Sequence, residues 1–356
     1  MRRVGVREGT AVTGSEELVA LVAGTLSRAY GIQPAQVAQI PEGTNTRNFR
    51  VADRDGCLWF AKVYPGHQLL ERELPAVELA EFAREGGAPV PAVLRTREGD
   101  LIEARGRVVM SLWTYLPDAE TAEGALAGER WPAVGATAGQ LHRLLADHPA
   151  ARPVQQPGAG VCDLPGNQAR FERMITSYGS RPESGEFERW ALEACRERLA
   201  VFGRLAKLLE ALPELTVQIL HGDLASPNVL LRGEKVAGIV DFQAPKARYT
   251  AWEIARIGCD PRSLLRGGEA WLPGLSRLLA AYRDVHPGAR WEDLLAVVVV
   301  GCVSMLASTY PLAQHLDAPE EMTAPLEVYA RARHEAALML LDRLDEAQEV
   351  LRDGLR

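Results

Sequence analysis

The chain has 356 residues, 47% apolar and 24% charged, enough for a large core in two or three domains or one two-lobed unit. Its 47 acidic and 40 basic side chains leave a net charge of −7 with no basic block; that argues against a nucleic-acid partner and suits, without requiring, a cationic ligand. Five scattered cysteines without a CxxC pair point away from a disulfide framework or zinc site and towards a reducing cytoplasm.

Met1-Arg2-Arg3 is not followed by an apolar signal core. Thr13 and Glu16 have capping-box spacing, and a helix pattern runs from Glu17 to Tyr30, where Gly31 stops it. The polar stretch Ile40 to Val51 leads into a strand, Asp53 to Gly56 reads as a hairpin turn, and Leu58 to Tyr64 reads as a second strand. Glu71 to Glu85 reads as a helix with Pro75 in its first turn, closed by Gly86-Gly87. Leu101 to Glu103 and Arg107 to Trp113 pair as another hairpin, and Tyr115 to Asp118 reads as a hinge.

Beyond the hinge the composition turns to Ala, Leu, Arg and Glu. Trp131 to Ala146 is amphipathic, Arg152 to Gly166 is a Pro/Gly-rich loop, and Phe187 to Leu212 reads as one long helix. Strands return only between Ile219 and Phe242, and helices resume near Trp252. The longest apolar run, Leu294 to Met305, is too short to span a bilayer and reads as a buried helix, so no membrane partner is expected. The layout is α+β: a small antiparallel-sheet N-lobe over residues 1–113, a hinge over 114–118, and a large, mainly helical C-lobe over 119–356. Two lobes around a cleft suit reactants that must be shielded from water.

The chemistry concentrates in His221-Gly-Asp223-Leu-Ala-Ser-Pro-Asn228, with Asp241-Phe242 after the next strand. A carboxylate, a carboxamide five residues on and a second carboxylate after a short hairpin are the parts of a metal-assisted phosphoryl transfer. One carboxylate would accept a hydrogen bond from the attacking hydroxyl, and the carboxamide with the second carboxylate would offer hard oxygen ligands to Mg²⁺. As isolated residues, Asp and Asn are also ordinary loop-capping types.

This block resembles the catalytic and metal-binding loops of the aminoglycoside phosphotransferase family, whose relatives include choline and homoserine kinases and which shares the protein-kinase-like fold. The family pattern, HGD, four intervening residues, Asn and then an (I/V)DF, is met here as HGDLASPN and IVDF. The resemblance implies that Asp223 is the catalytic base, that Asn228 and Asp241 hold Mg²⁺, and that His221 organises the loop. It further implies that Lys62, in Phe60-Ala-Lys-Val, contacts the ATP phosphates, with Glu73, or alternatively Glu78, holding it. Asn45 and Thr46 fall in the phosphate-covering loop, and the hinge around Trp113 and Tyr115 faces adenine. Gly139-Gln-Leu-His142 resembles the end of a C-lobe helix.

Three departures stand out. Ala-Ser-Pro replaces the frequent His-Pro-Gly, Glu253-Ile-Ala255 replaces an Asp-Leu-Ala, and Gln243 occupies the place of the glycine in the protein-kinase DFG. The implied activity is ATP-dependent phosphorylation of a small-molecule hydroxyl, on an aminoglycoside or other antibiotic, or on a metabolite such as homoserine, choline or a sugar. A nucleotide-binding regulator without turnover is the alternative from a different class. A protein kinase is disfavoured because the HRD–DFG–APE set as a whole is absent from the sequence.

Overall fold

The computed structural model describes residues 15–40, 46–180 and 185–354. The chain forms two compact units, one built from residues up to 78 with 91–117, the other from 79–90 with 118 onward.

In the first unit, helix α1 (Ser15–Thr25) runs on through a wider π turn over Leu26–Tyr30. Gly31 ends it at φ 73°, with its N–H returned to the Leu26 carbonyl, which is the left-handed stop a glycine provides. Five antiparallel strands follow: β1 (Pro34–Ile40), β2 (Arg47–Asp53), β3 (Leu58–Tyr64), β4 (Val93–Leu94) and β5 (Val109–Thr114), in the order β1-β2-β3-β5-β4. Strand alternation sends Phe49, Val51, Ala61, Val63, Met110 and Leu112 to one face, where Leu18, Val22 and Leu26 of the helix, four residues apart, cover them. The Asp53 carboxylate builds the β2–β3 turn by accepting from the Asp55 and Cys57 amides at 3.0 and 2.8 Å.

The opening strand β1 was not expected from the sequence, because Pro34 and the polar glutamines mask its alternation. The expected second hairpin is a single bridge between Glu103 and Met110. Helix α2 (Leu70–Glu85) starts one residue before the expected Glu71, after a 3-10 turn over His67–Leu69. Pro75 therefore lies in its second turn rather than its first. The capping reading at Thr13 lies outside the described residues.

The second unit carries β6 (Glu120–Thr121), α3 (Arg130–Leu145), β7 (Val154–Pro157), α4 (Leu164–Gly179), α5 (Glu186–Ala200), α6 (Phe202–Glu210) and β8 (Glu214–Ile219). Then come β9 (Val229–Arg232), β10 (Lys235–Ile239), β11 (Ala247–Tyr249), α7 (Thr250–Gly258), α8 (Pro261–Gly267), α9 (Trp271–Val285) and α10 (Trp291–Ala307). The order closes with α11 (Gln314–Asp317), α12 (Ala324–Asp342) and α13 (Leu344–Gly354). The expected long helix at 187–212 is broken at Val201 into α5 and α6, and the expected loop at 152–166 holds β7 and a 3-10 turn.

Helix α10 is buried all round through Val297, Val298, Val299 and Val300, the solution for a helix with no polar stripe. Among the described residues no helix is long and apolar enough to cross a membrane.

Helices α3 and α9 touch backbone to backbone. A Cβ on Gly135 would lie 2.0 Å from the Leu278 carbonyl oxygen, and one on Gly139 would lie 2.4 Å from that of Tyr282. Two small three-stranded sheets, β10-β9-β6 and β11-β8-β7, frame the loop between β8 and β9.

Candidate active site

In the first unit Lys62 sits at the centre of β3, opposite Asn48 of β2 and Ser111 of β5. Its neighbours Ala61 and Val63 face the core, so strand periodicity puts Lys62 on the other face with Phe60 and Tyr64. The ammonium lies 3.7 Å from the Glu73 carboxylate of α2 and 5.8 Å from the centre of the Tyr64 ring. Both charged side chains are largely shielded, which strengthens their attraction relative to a solvated surface pair. Of the two glutamates considered for Lys62, Glu73 is the one at ion-pair distance. Ser111 ties this face together, bonding the Tyr64 hydroxyl and accepting from the Trp113 indole, each at 2.8 Å. The Tyr115 amide donates to the Leu58 carbonyl at 3.2 Å, so its hydrogen bond is spent within the sheet. Thr46 donates its hydroxyl to Asn48 Oδ1 at 3.1 Å. Asn45 lies outside the described residues.

In the second unit β8 delivers the chain into the His221–Asn228 loop. Gly222 turns it at φ 89°, and a Cβ there would meet Gln243 at 2.8 Å, so the loop accepts only glycine at this point. His221 is fully buried. Its Nδ1 accepts from the Asp223 amide at 3.1 Å and its Nε2 donates to the Val240 carbonyl at 3.0 Å, which fixes one neutral tautomer. Burial lowers its pKa, in keeping with a neutral ring. Phe242 packs against that ring at 4.3 Å. Two backbone bonds, Val240 N–H to Asn228 O and Gln243 N–H to His221 O, then stitch the Asp241 segment to the loop.

Asn228 follows a 3-10 turn over Ser226–Asn228 that is entered from an extended Ala225. Its carboxamide nitrogen donates to both the Asp223 carbonyl and the Asp223 carboxylate, at 2.8 and 3.0 Å. That orientation commits the nitrogen and leaves Oδ1 as a hard oxygen donor. Asp241 is exposed and held at φ 65°, a conformation rare for a residue with a side chain. It acts electrostatically on Asp223. Burial raises the Asp223 pKa, and the repulsion of Asp241 adds to it; Arg256, His221 and the Asn228 bond oppose, without cancelling the rise. A carboxamide oxygen and a carboxylate beside a second carboxylate, Asp223, fit an oxygen-seeking divalent cation.

Glu253 of α7, fully buried, reaches under this loop. Its Oε1 accepts from the Gly222 amide at 2.7 Å, and its Oε2 accepts from the His221 amide at 2.9 Å and contacts His142 Nε2 at 3.1 Å. His142 Nδ1 is bonded in turn to the Tyr282 hydroxyl at 2.9 Å. Burial pushes the Glu253 pKa up, but the His142 hydrogen bond and the surrounding positive charge and N–H groups outweigh it and hold the carboxyl below its ordinary value. The Glu253 departure noted in the sequence is thus a longer carboxylate serving as the loop's anchor, and His142 is buried as one of its partners.

One turn further along α7, Arg256 pairs with Asp223. Sequence reasoning missed this arginine. The available signal was its place three residues after Glu253, which puts both on the loop-facing side of one helix. Asp317 is engaged by Arg170 and Glu321 by Gln314.

The model of the phosphotransferase enzyme family matches residues 36–290. A homoserine kinase of Pseudomonas aeruginosa is 28% identical over 281 residues, covering 73% of this chain and 77% of that protein. Among solved structures, a spectinomycin phosphotransferase complexed with ADP and spectinomycin superposes with a TM-score of 0.58 at 14% identity, over 92% of this chain and 98% of that one. An amicoumacin kinase complexed with AMP-PNP, Ca²⁺ and its antibiotic gives 0.59 at 15% identity, over 92% and 96%. These likenesses establish the kinase-like two-lobed α+β fold. With its family match spanning most of its length, the chain belongs to the phosphotransferase enzyme family and is a small-molecule phosphotransferase.

Proposed function

We propose that this enzyme transfers the γ-phosphoryl group of ATP to a hydroxyl of a small molecule, with Asp223 as the base that orients the hydroxyl and takes its proton. The observation that carries this reading is the Asp223 carboxylate, hydrogen-bonded to Asn228 and within electrostatic reach of Asp241. As the hydroxyl oxygen bonds to γ-phosphorus, the bond to the β,γ-bridging oxygen breaks, ADP leaves, and the hydroxyl proton passes to Asp223. Asn228 and Asp241 are the residues that would hold Mg²⁺, whose role when bound is to neutralise phosphate charge. Lys62, steadied by Glu73, supplies a fixed positive charge for the nucleotide phosphates. Thr46, Trp113 and the Tyr115 region are the proposed nucleotide surroundings. The residue 1–113, 114–118 and 119–356 division is retained as the functional organisation, and five unpaired thiols suit a cytoplasmic setting.

The acceptor is an antibiotic or a hydroxylated metabolite. The antibiotic branch draws on the spectinomycin and amicoumacin enzymes, the metabolite branch on the homoserine kinase. ADP release from Mg-ATP, measured across aminoglycosides, other antibiotics, homoserine, choline and sugars with Asp223→Asn as control, tests the assignment. Acceptor-dependent ADP that disappears in the variant supports it. Undiminished turnover in the variant would remove Asp223 from the chemistry, and nucleotide binding with no transfer to any acceptor would favour a regulatory role.

A further inference from the structure

Besides Asp241, Asn228 and His221, the surroundings of Asp223 within the second unit include cationic and aromatic side chains. Arg256 is paired with the base itself. Trp252, one turn earlier on α7, lies 5.1 Å from the Arg256 guanidinium and 4.9 Å from that of Arg248, which enters from β11. Tyr310 is about half exposed and lies within electrostatic range of Asp223, Arg256 and Arg333. Among the described residues, Arg333 of α12 donates only to neutral oxygens, the Tyr329 hydroxyl at 3.5 Å and the Ser304 carbonyl at 3.4 Å, both long.

The Nε atoms of Arg248, Arg256 and Arg333 are each buried without a hydrogen-bond partner among the described residues. Among those residues, neither Arg248 nor Arg333 has a carboxylate partner, so the only one in this group is the base opposite Arg256. A shielded guanidinium lacking an anion is costly, and its planar donor fork matches a carboxylate.

We propose that the acceptor is a hydroxy acid or hydroxy amino acid, whose carboxylate docks on the rim formed by Arg248, Arg256 and Arg333 while its hydroxyl sits at Asp223. Trp252 and Tyr310 wall the short carbon chain between the two ends. Arg256 keeps its partner in the base, and Arg333 and Arg248 are the readers of the carboxylate. The same rim repels a polycation, so it opposes an aminoglycoside as acceptor, although the chain as a whole is acidic. This inference rests on the phosphotransferase reading above, because it takes Asp223 as the point where the hydroxyl reacts.

The test uses the full chain with Mg-ATP and the acceptors 4-hydroxybutyrate, L-homoserine, their neutral amides, and kanamycin. Turnover is read as ADP release, and binding is read separately by calorimetry with a non-hydrolysable ATP analogue. The acids should exceed their amides by roughly tenfold to hundredfold in kcat/KM, the factor a hydrogen bond to a charged group carries. Most of that gap should appear in KM, and Arg333→Gln and Arg248→Gln should close it, with Arg333→Lys recovering part. The acid-versus-amide comparison in the wild-type protein stands even if a variant fails to fold. Acids that bind through the arginines but are not phosphorylated would keep the docking site and remove the kinase reading. Kanamycin phosphorylated while the acids neither bind nor react would keep the kinase reading and overturn the rim. Acids and amides equal in every readout, or no acid bound, would overturn it as well.

Discussion

Glu253→Gln is the substitution that isolates the anchor from the chemistry, since it keeps shape and removes charge. Each carboxylate oxygen of Glu253 accepts one loop amide, Oε1 from Gly222 and Oε2 from His221. Whichever oxygen becomes the amide nitrogen, one buried N–H loses its acceptor, at about 1–3 kcal/mol, and the surviving bonds lose their charge assistance. The expected total is about 2–4 kcal/mol, or a fall in Tm of about 5–15 °C for a unit of this size. Turnover should fall too, because the displaced segment carries Asp223.

Thermal unfolding followed by circular dichroism, with ADP release on the same samples, measures both. The pH dependence adds a signature. The Glu253 carboxyl is held below its ordinary 4.5, so the wild-type protein carries stability above that value and loses it as pH falls through the lower folded-state pKa. The Gln variant has no such group, and the gap between the two proteins should shrink on acidification. Equal Tm and equal turnover at neutral pH would refute the anchoring argument.

Asp223→Asn should lower kcat by about 10²–10⁴-fold, the range for losing a positioned base, while changing stability by no more than about 1 kcal/mol, since the Arg256 pair is partly solvated. A rate profile for the wild-type enzyme should lose its acid limb above the ordinary Asp value of 3.8, because burial raises the base; Arg256→Gln should move that limb to higher pH by removing the opposing cation. Lys62→Met should weaken nucleotide binding and turnover, and Glu73→Gln should do so to a smaller degree, both visible in ATP titrations of ADP release. Chelation by EDTA should abolish transfer and added Mg²⁺ should restore it, with Asn228→Ala raising the Mg²⁺ concentration needed.

The block from His221 to Phe242 was legible because its residue types and spacing are local: one loop and one hairpin hold Asp223, Asn228 and Asp241. Lys62 entered through the resemblance, as a charge on an otherwise apolar strand. Arg256 was not, because it meets Asp223 only through the packing of α7, and Tyr310, in the segment after α10, comes within electrostatic range of Asp223 in the same way; no periodicity encodes such long-range meetings. Glu253 was read as a departure in loop geometry, since the sequence could not show that its extra methylene reaches two amides and His142. The whole-chain charge of −7 likewise hid the arginine paired with the base. In the fold, β1 was obscured by its polar alternation, and the break at Val201 by good helix formers on both sides.

The backbone contact between α3 and α9 has a consequence for rate as well as for packing. Gly139 stands three residues before His142, and the Tyr282 whose carbonyl it touches also supplies the hydroxyl that holds the His142 ring. The spacing of two helices therefore meters how far His142 reaches towards Glu253, and through it how the Asp223 loop sits. A single methyl at Gly139 must push the helices apart, at about 1–3 kcal/mol, and Gly139→Ala should show its effect in kcat alongside Tm. A substitution at this contact would therefore act on rate without replacing any side chain proposed to touch a reactant.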